Sequence, residues 1–187
     1  TELAANRCSL GDDILSHPLD DDYHRCRSPQ WDKVTVPLLS AANWGGQGLH
    51  TRGNFEGFMR AASPRKWLEV HGLEHWTHFY TDYGRRLQLR FFDHFLKGEA
   101  NGQDSAPPVL LQVRQVDRFV ERAEQEWPLA RTRWTRWHLD PASGSLGTDP
   151  VSAASARSFD AMGDGVTLIS PPLPQQTEIT GPLAVRL

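Results

Sequence analysis

From Lys33 to Asn43 the chain is almost continuously apolar, running through Val34, Val36, Leu38 and Leu39 into the small Ser40-Ala41-Ala42. Such a run predicts a parallel strand covered on both faces. The spacing then becomes helical: Phe55, Phe58, Met59 and Ala62 fall at i, i+3, i+4 and i+7, with Asn54 placed to cap the helix and Ser63-Pro64 to stop it. Lys66-Trp67-Leu68-Glu69-Val70 predicts a second strand, broken at Gly72. Thr81 or Asp82 can cap a further helix, whose Leu87, Phe91, Phe92, Phe95 and Leu96 form a wide apolar stripe before Lys97-Gly98 closes it. Strand, helix, strand, helix with short connections predicts an α/β layer.

After the polar Glu99–Pro108 stretch the period falls to two. Val109, Leu111 and Val113 alternate with Leu110, Gln112 and Arg114, and Arg133 to Leu139 alternates Arg/Thr with Trp/Leu. Turn residues such as Pro141-Ala142-Ser143-Gly144 separate these runs, which is an antiparallel, all-β pattern. Residues 153–165 predict a long loop. Leu183, Val185 and Leu187 predict a strand that reaches the last residue, and with it an incomplete second domain. Residues 1–33 are polar and broken, with a short helix ending near Ser16-His17-Pro18 and Asp20-Asp21-Asp22 read as a solvated turn. The fold class is therefore α/β over residues 1–103 followed by all-β over residues 104–187.

At 187 residues and 39% hydrophobic content the chain can bury a core. A formal net charge of -3 argues against a nucleic-acid partner. No apolar run is long enough to span a membrane, and no signal peptide is visible. Cys8 and Cys26 form no disulfide framework and read as thiols of a reducing, cytoplasmic setting. Trp127, Trp134 and Trp137 suggest aromatic packing between layers or domains.

The chemistry is sparse. Gly-x-Ser-x-Gly is absent from the chain, and Ser145 in Ser143-Gly144-Ser145-Leu146-Gly147 reads as a turn, because no apolar strand precedes it. His71, His75 and His78 lack the helical context that would set two imidazoles on one metal, and the acidic triplet lacks calcium-loop spacing. No metal and no cofactor is expected. Gln47 to Asn54 reads as a glycine-assisted turn, or as a substrate wall using His50 or Arg52.

An ordered set of pieces remains. It comprises His17-Pro18 with Asp21-Asp22-Tyr23, Thr35-Val36-Pro37 leading to Trp44, Lys66-Trp67-Leu68, and Glu74-His75. It continues with Arg90-Phe91-Phe92-Asp93, Phe95-Leu96-Lys97-Gly98, Pro107-Pro108-Val109, Glu126-Trp127-Pro128-Leu129 and Thr180-Gly181-Pro182. The set resembles the X-Pro dipeptidyl-peptidase and cocaine-esterase family of α/β-hydrolases over nearly the whole chain. The resemblance implies the end of a helical cap and the C-terminal part of the hydrolase sheet in residues 1–103, and the first part of a galactose-binding-like jelly-roll sandwich in residues 104–187. It implies that His75 is the general base of a Ser-His-acid triad whose nucleophile lies outside this chain. The family's acid position falls on Gly46, so either another carboxylate supplies the acid, with Glu74, Asp82, Asp21 and Asp22 as candidates, or the site is weakened.

Two functions follow as expectations. One is a serine hydrolase of acyl bonds, acting on a small-molecule ester or an X-Pro peptide, of which this chain alone is inactive. The other is a non-catalytic binding or scaffold module. Neither a nucleic acid nor a membrane is an expected partner, and a homo-oligomer is compatible with either.

Overall fold

In the computed structural model, which describes residues 2–46 and 48–187, the apolar run becomes a strand only after Pro37, as β1 (Leu38–Asn43). Trp31–Lys33, at the start of the expected strand, is a single 3-10 turn. Before it lie three short helices, α1 (Glu2–Ala5), α2 (Leu10–Ser16) and α3 (Asp22–Arg25). The acidic triplet is more ordered than a solvated turn. Asp21 caps α3 by accepting from the Tyr23 amide at 2.9 Å, and it also pairs with His17 at 2.7 Å. Cys8 and Cys26 are free and exposed.

β1 runs parallel to β2 (Lys66–His71), with Leu38 opposite Lys66 and Asn43 opposite His71. Helix α4 (Thr51–Arg60) connects them and packs Phe55 and Phe58 on Ala42, Leu68 and Val70. Asn54 is not its cap. It sits inside the first turns and donates to the Ala41 carbonyl at 2.8 Å, while Ser40 Oγ donates to the Asn54 carbonyl at 2.9 Å. An Asn on the inner face of a helix finds backbone acceptors on the strand beneath, and this outweighs its preference for the cap.

After the short α5 (His75–Phe79), helix α6 (Asp82–Lys97) begins on Thr81, whose hydroxyl accepts from Gly84 N. It ends at Gly98, left-handed at φ 73°, with paired bonds to the His94 and Asp93 carbonyls. Its apolar stripe is only partly used. Phe91 and Phe95 pack against Trp67, whereas Phe92 and Leu96 are exposed. The 99–108 stretch is tied down: buried Gln103 accepts from Arg90, and Asn101 donates to the Arg90 carbonyl.

The period-two segment forms a hairpin, β3 (Val109–Gln115) with β4 (Arg118–Glu124). β3 also pairs parallel to β2, Leu68 opposite Val109, so a single sheet has the order β1-β2-β3-β4. The change of domain expected between residues 103 and 104 thus meets a sheet that runs straight across it. Val109 and Leu111 are fully buried and share one apolar layer with Phe55, Phe58, Trp127 and Leu129.

Beyond Leu129 the structure is looser. Residues 133–137 carry no strand, and the alternation yields only β5 (His138–Asp140), paired with β6 (Ser145–Gly147) across the expected turn. The expected strand at 183–187 does not form. Trp127 packs on Phe55 at 4.5 Å, but Trp134 and Trp137 stay exposed, because no sheet covers the segment that bears them. Among the described residues no helix is long and apolar enough to cross a membrane.

Candidate active site at the strand tips

The C-terminal ends of parallel strands leave loops free to gather functional side chains, which is where α/β sheets build sites. Here the tips of β1 and β2 are bonded together. Gly45 N donates to the Leu73 carbonyl at 3.2 Å, and Asn43 Nδ2 donates to the same oxygen at 3.1 Å. Leu73 reaches this position with φ 60°, a left-handed turn that sends the chain back into α5. Gly45 is needed at the close approach, since a Cβ there would lie 2.6 Å from the Leu73 oxygen.

His75 opens α5 directly beyond this junction and is exposed. Its imidazole meets two rings, the edge of His50 at a centroid distance of 5.1 Å and its neighbour Trp76 at 4.5 Å. The segment just ahead of α4 therefore does reach the histidine, through His50. Arg52 is exposed on the first turn of α4, and Gln47 lies outside the described residues.

None of the four candidate carboxylates is engaged with His75. Glu74 accepts from Thr77 at 3.2 Å, Asp82 from Arg85 at 2.8 Å, Asp22 from Arg25 at 3.4 Å, and Asp21 is held by His17 and Tyr23. Gly46 is only partly buried, yet a Cβ on it would stand 2.6 Å from Asn43 Oδ1. Asn43 is itself almost wholly buried, and its carbonyl accepts from Thr51 Oγ1 at 2.6 Å.

On the other face of β2, under α5 and α6, lies a carboxylate–imidazole pair absent from the sequence reading. His71 Nδ1 donates to Glu69 Oε2 at 2.9 Å, and Tyr83 OH donates to Glu69 Oε1 at 2.9 Å. Glu69 is 2% exposed and His71 5%. Because a carboxylate only accepts, His71 carries a proton on Nδ1. Its Nε2 has no hydrogen-bond partner, nor has Nδ1 of His78, whose ring lies 4.9 Å away. Burial holds the His78 imidazole below its usual pKa, and the charge of a protonated His71 would lower it further. Burial and the Glu69 carboxylate push the Tyr83 hydroxyl up. A period-two polar face, Glu69 and His71, inside a strand read as buried was the available signal. Among the described residues no group of three or more His, Cys, Asp or Glu is arranged to hold a metal ion. Ser145 is in β6, its hydroxyl 2.8 Å from Ser143 Oγ, which itself donates to Asp140.

This mixed sheet, with a histidine loop at its parallel tips and a β-rich continuation, has counterparts among known proteins. Residues 101–187 match the X-Pro dipeptidyl-peptidase C-terminal non-catalytic domain. Two crystal structures of a CocE/NonD family hydrolase from Staphylococcus aureus are 35% identical in sequence, each over 78% of this chain, with TM-scores of 0.70 and 0.71. No curated protein gives a match. By sequence and structure the chain is thus similar to hydrolases of the X-Pro dipeptidyl-peptidase/CocE family. It spans 27% and 26% of the length of the two structures, about a quarter.

Proposed function

We propose that this chain carries the general-base portion of a serine hydrolase of acyl bonds, acting on an ester or an X-Pro peptide, with His75 as the base. The observation that supports this most is the place of His75. It is an exposed imidazole at the joined tips of two parallel strands, in a chain similar to CocE/NonD family hydrolases. Imidazole has an ordinary pKa of about 6.5, so near neutrality it can take a serine proton and return it to the leaving group. The nucleophile comes from residues outside this chain, since the sequence holds no nucleophile elbow. The acid comes from outside the four local carboxylates, all of which are engaged elsewhere. Without an acid the imidazole loses orientation and tautomer control, worth roughly 10⁴ in turnover in the serine-protease template.

In the full-length protein His75→Ala should abolish turnover of an activated acyl ester while leaving the fold intact. The chain by itself should neither turn over that ester nor be labelled by a serine-directed phosphonate. A second reading, a binding or scaffold module, is favoured by the match of residues 101–187 to a non-catalytic domain. Near-normal turnover by His75→Ala would select it over the first.

A further inference from the structure

We propose that the buried Glu69–His71 pair is a positioning relay that fixes the short helix bearing His75. The inference rests on the reading of His75 as the base. His71 itself is a poor candidate for that role, because its Nε2 is sealed beneath the chain. An ionisable pair in the interior carries a desolvation cost that an apolar pair would avoid. What the pair supplies instead is direction. Glu69 receives Tyr83 from α6 and His71 from β2, both at 2.9 Å, so its two oxygens are fixed and the His71 ring cannot turn. The held ring lies 4.9 Å from His78, at an interplanar angle of 52°.

His78 stands three residues after His75 on a helix of only five residues, so the two share a turn. The main chain of that turn is also pinned, since Thr81 Oγ1 donates to the His78 carbonyl at 2.8 Å. Gly84 of α6 lies so close beneath that carbonyl that a Cβ would collide with it. At the other end the strand tip holds Leu73. His75 is thereby bracketed on both sides, and the relay sets the bracket that a single helical turn could not hold alone.

The test is made in the full-length enzyme with an activated acyl ester. His71→Leu removes the donor to Glu69 and should lower kcat about 10- to 100-fold with KM within about threefold, as expected for a misplaced catalytic group. His71→Asn keeps an N–H near the Nδ1 position and should return kcat to within about threefold of wild type. Tyr83→Phe keeps the ring and removes one donor, and should cost about three- to tenfold in kcat. Near-UV circular dichroism and the thermal midpoint report folding, and if His71→Leu does not fold, Tyr83→Phe decides the matter. The relay is overturned by a folded His71→Leu with wild-type kcat, by His71→Asn as slow as His71→Leu, or by a neutral Tyr83→Phe. Failure of the underlying reading looks different: His75→Ala itself would then keep its turnover.

Discussion

Asn43 and Leu73 are thirty residues apart in sequence and joined by one bond, from the Asn43 side-chain amide to the Leu73 carbonyl at 3.1 Å. That bond ties the tip of β1 to the loop that delivers His75. Asn43→Asp is nearly isosteric, but a carboxylate cannot donate to a carbonyl. The substitution should destabilise the chain by about 1–3 kcal/mol, as expected when a buried polar group loses its partner. Urea unfolding of the two forms measures this, and the Gly45 amide, which donates to the same oxygen, should lose exchange protection alongside. Equal stability of the two forms would remove Asn43 from the account of the site.

Restoring an aspartate at Gly46 should not repair the triad. The new Cβ would fall 2.6 Å from Oδ1 of Asn43, which is almost wholly buried and tied to the Leu73 carbonyl. Gly46→Asp is expected to destabilise by about 1–3 kcal/mol through overpacking. Its ester turnover in the full-length protein should be no higher than wild type. A gain of activity would show that the β1 tip still accommodates the acid.

Arg122 on β4 grips Glu178 with both terminal nitrogens at 2.8 Å, which holds the Glu178 carboxyl at about 2 rather than 4.5. A carboxylate whose pKa is depressed on folding stabilises above its unfolded value and loses that contribution as pH falls through the folded one. The window is therefore from about pH 4.5 down to about pH 2. Because Arg122 is 30% and Glu178 47% exposed, solvent screening leaves the pair worth only about 0.5–1 kcal/mol. The stability gap between wild type and Arg122→Gln should be full at pH 6, shrink through the acid window and narrow in about 1 M salt. A gap independent of both pH and salt would mean that the ion pair contributes nothing.

Trp127 and Trp134 should separate cleanly. Trp127 is buried on Phe55, and Trp127→Ala should cost about 3–5 kcal/mol. Trp134 is 69% exposed, and Trp134→Ser should stay within about 0.5 kcal/mol. Thermal or urea denaturation of the isolated chain distinguishes them.

The contrast also shows which features local sequence could reveal. Thr81 and Gly98 frame α6 through side-chain and left-handed-turn chemistry that acts within a few residues, and both were legible. The strand–helix–strand alternation around Phe55 and Leu68 was legible for the same reason, because apolar period follows directly from which face is buried. The pairing of Val109 with Leu68 was not, since nothing within β3 tells which strand it will join. Asn54 misled because its cap preference is local, whereas its actual acceptors, on Ser40 and Ala41, come from another element. The Glu69–His71 pair was hidden by reading Lys66–Val70 for hydrophobicity alone. Trp134 and Trp137 stand three apart with Thr135 and Arg136 between them, which breaks a strict period of two, and a strand forms only where a partner strand is available.

The unbroken order β1-β2-β3-β4 has a consequence for anyone who would dissect this protein by recombinant truncation. The family match begins at residue 101, upstream of β3. Cutting there would take two strands away from the sheet that carries the histidine loop. β2 would become a bare edge, and Val109 and Leu111, now wholly enclosed, would be turned out into water. The boundary assigned to the non-catalytic unit is therefore not a severable seam. The two portions should be expressed together and should unfold as one cooperative body up to about Leu129, since one buried core spans both.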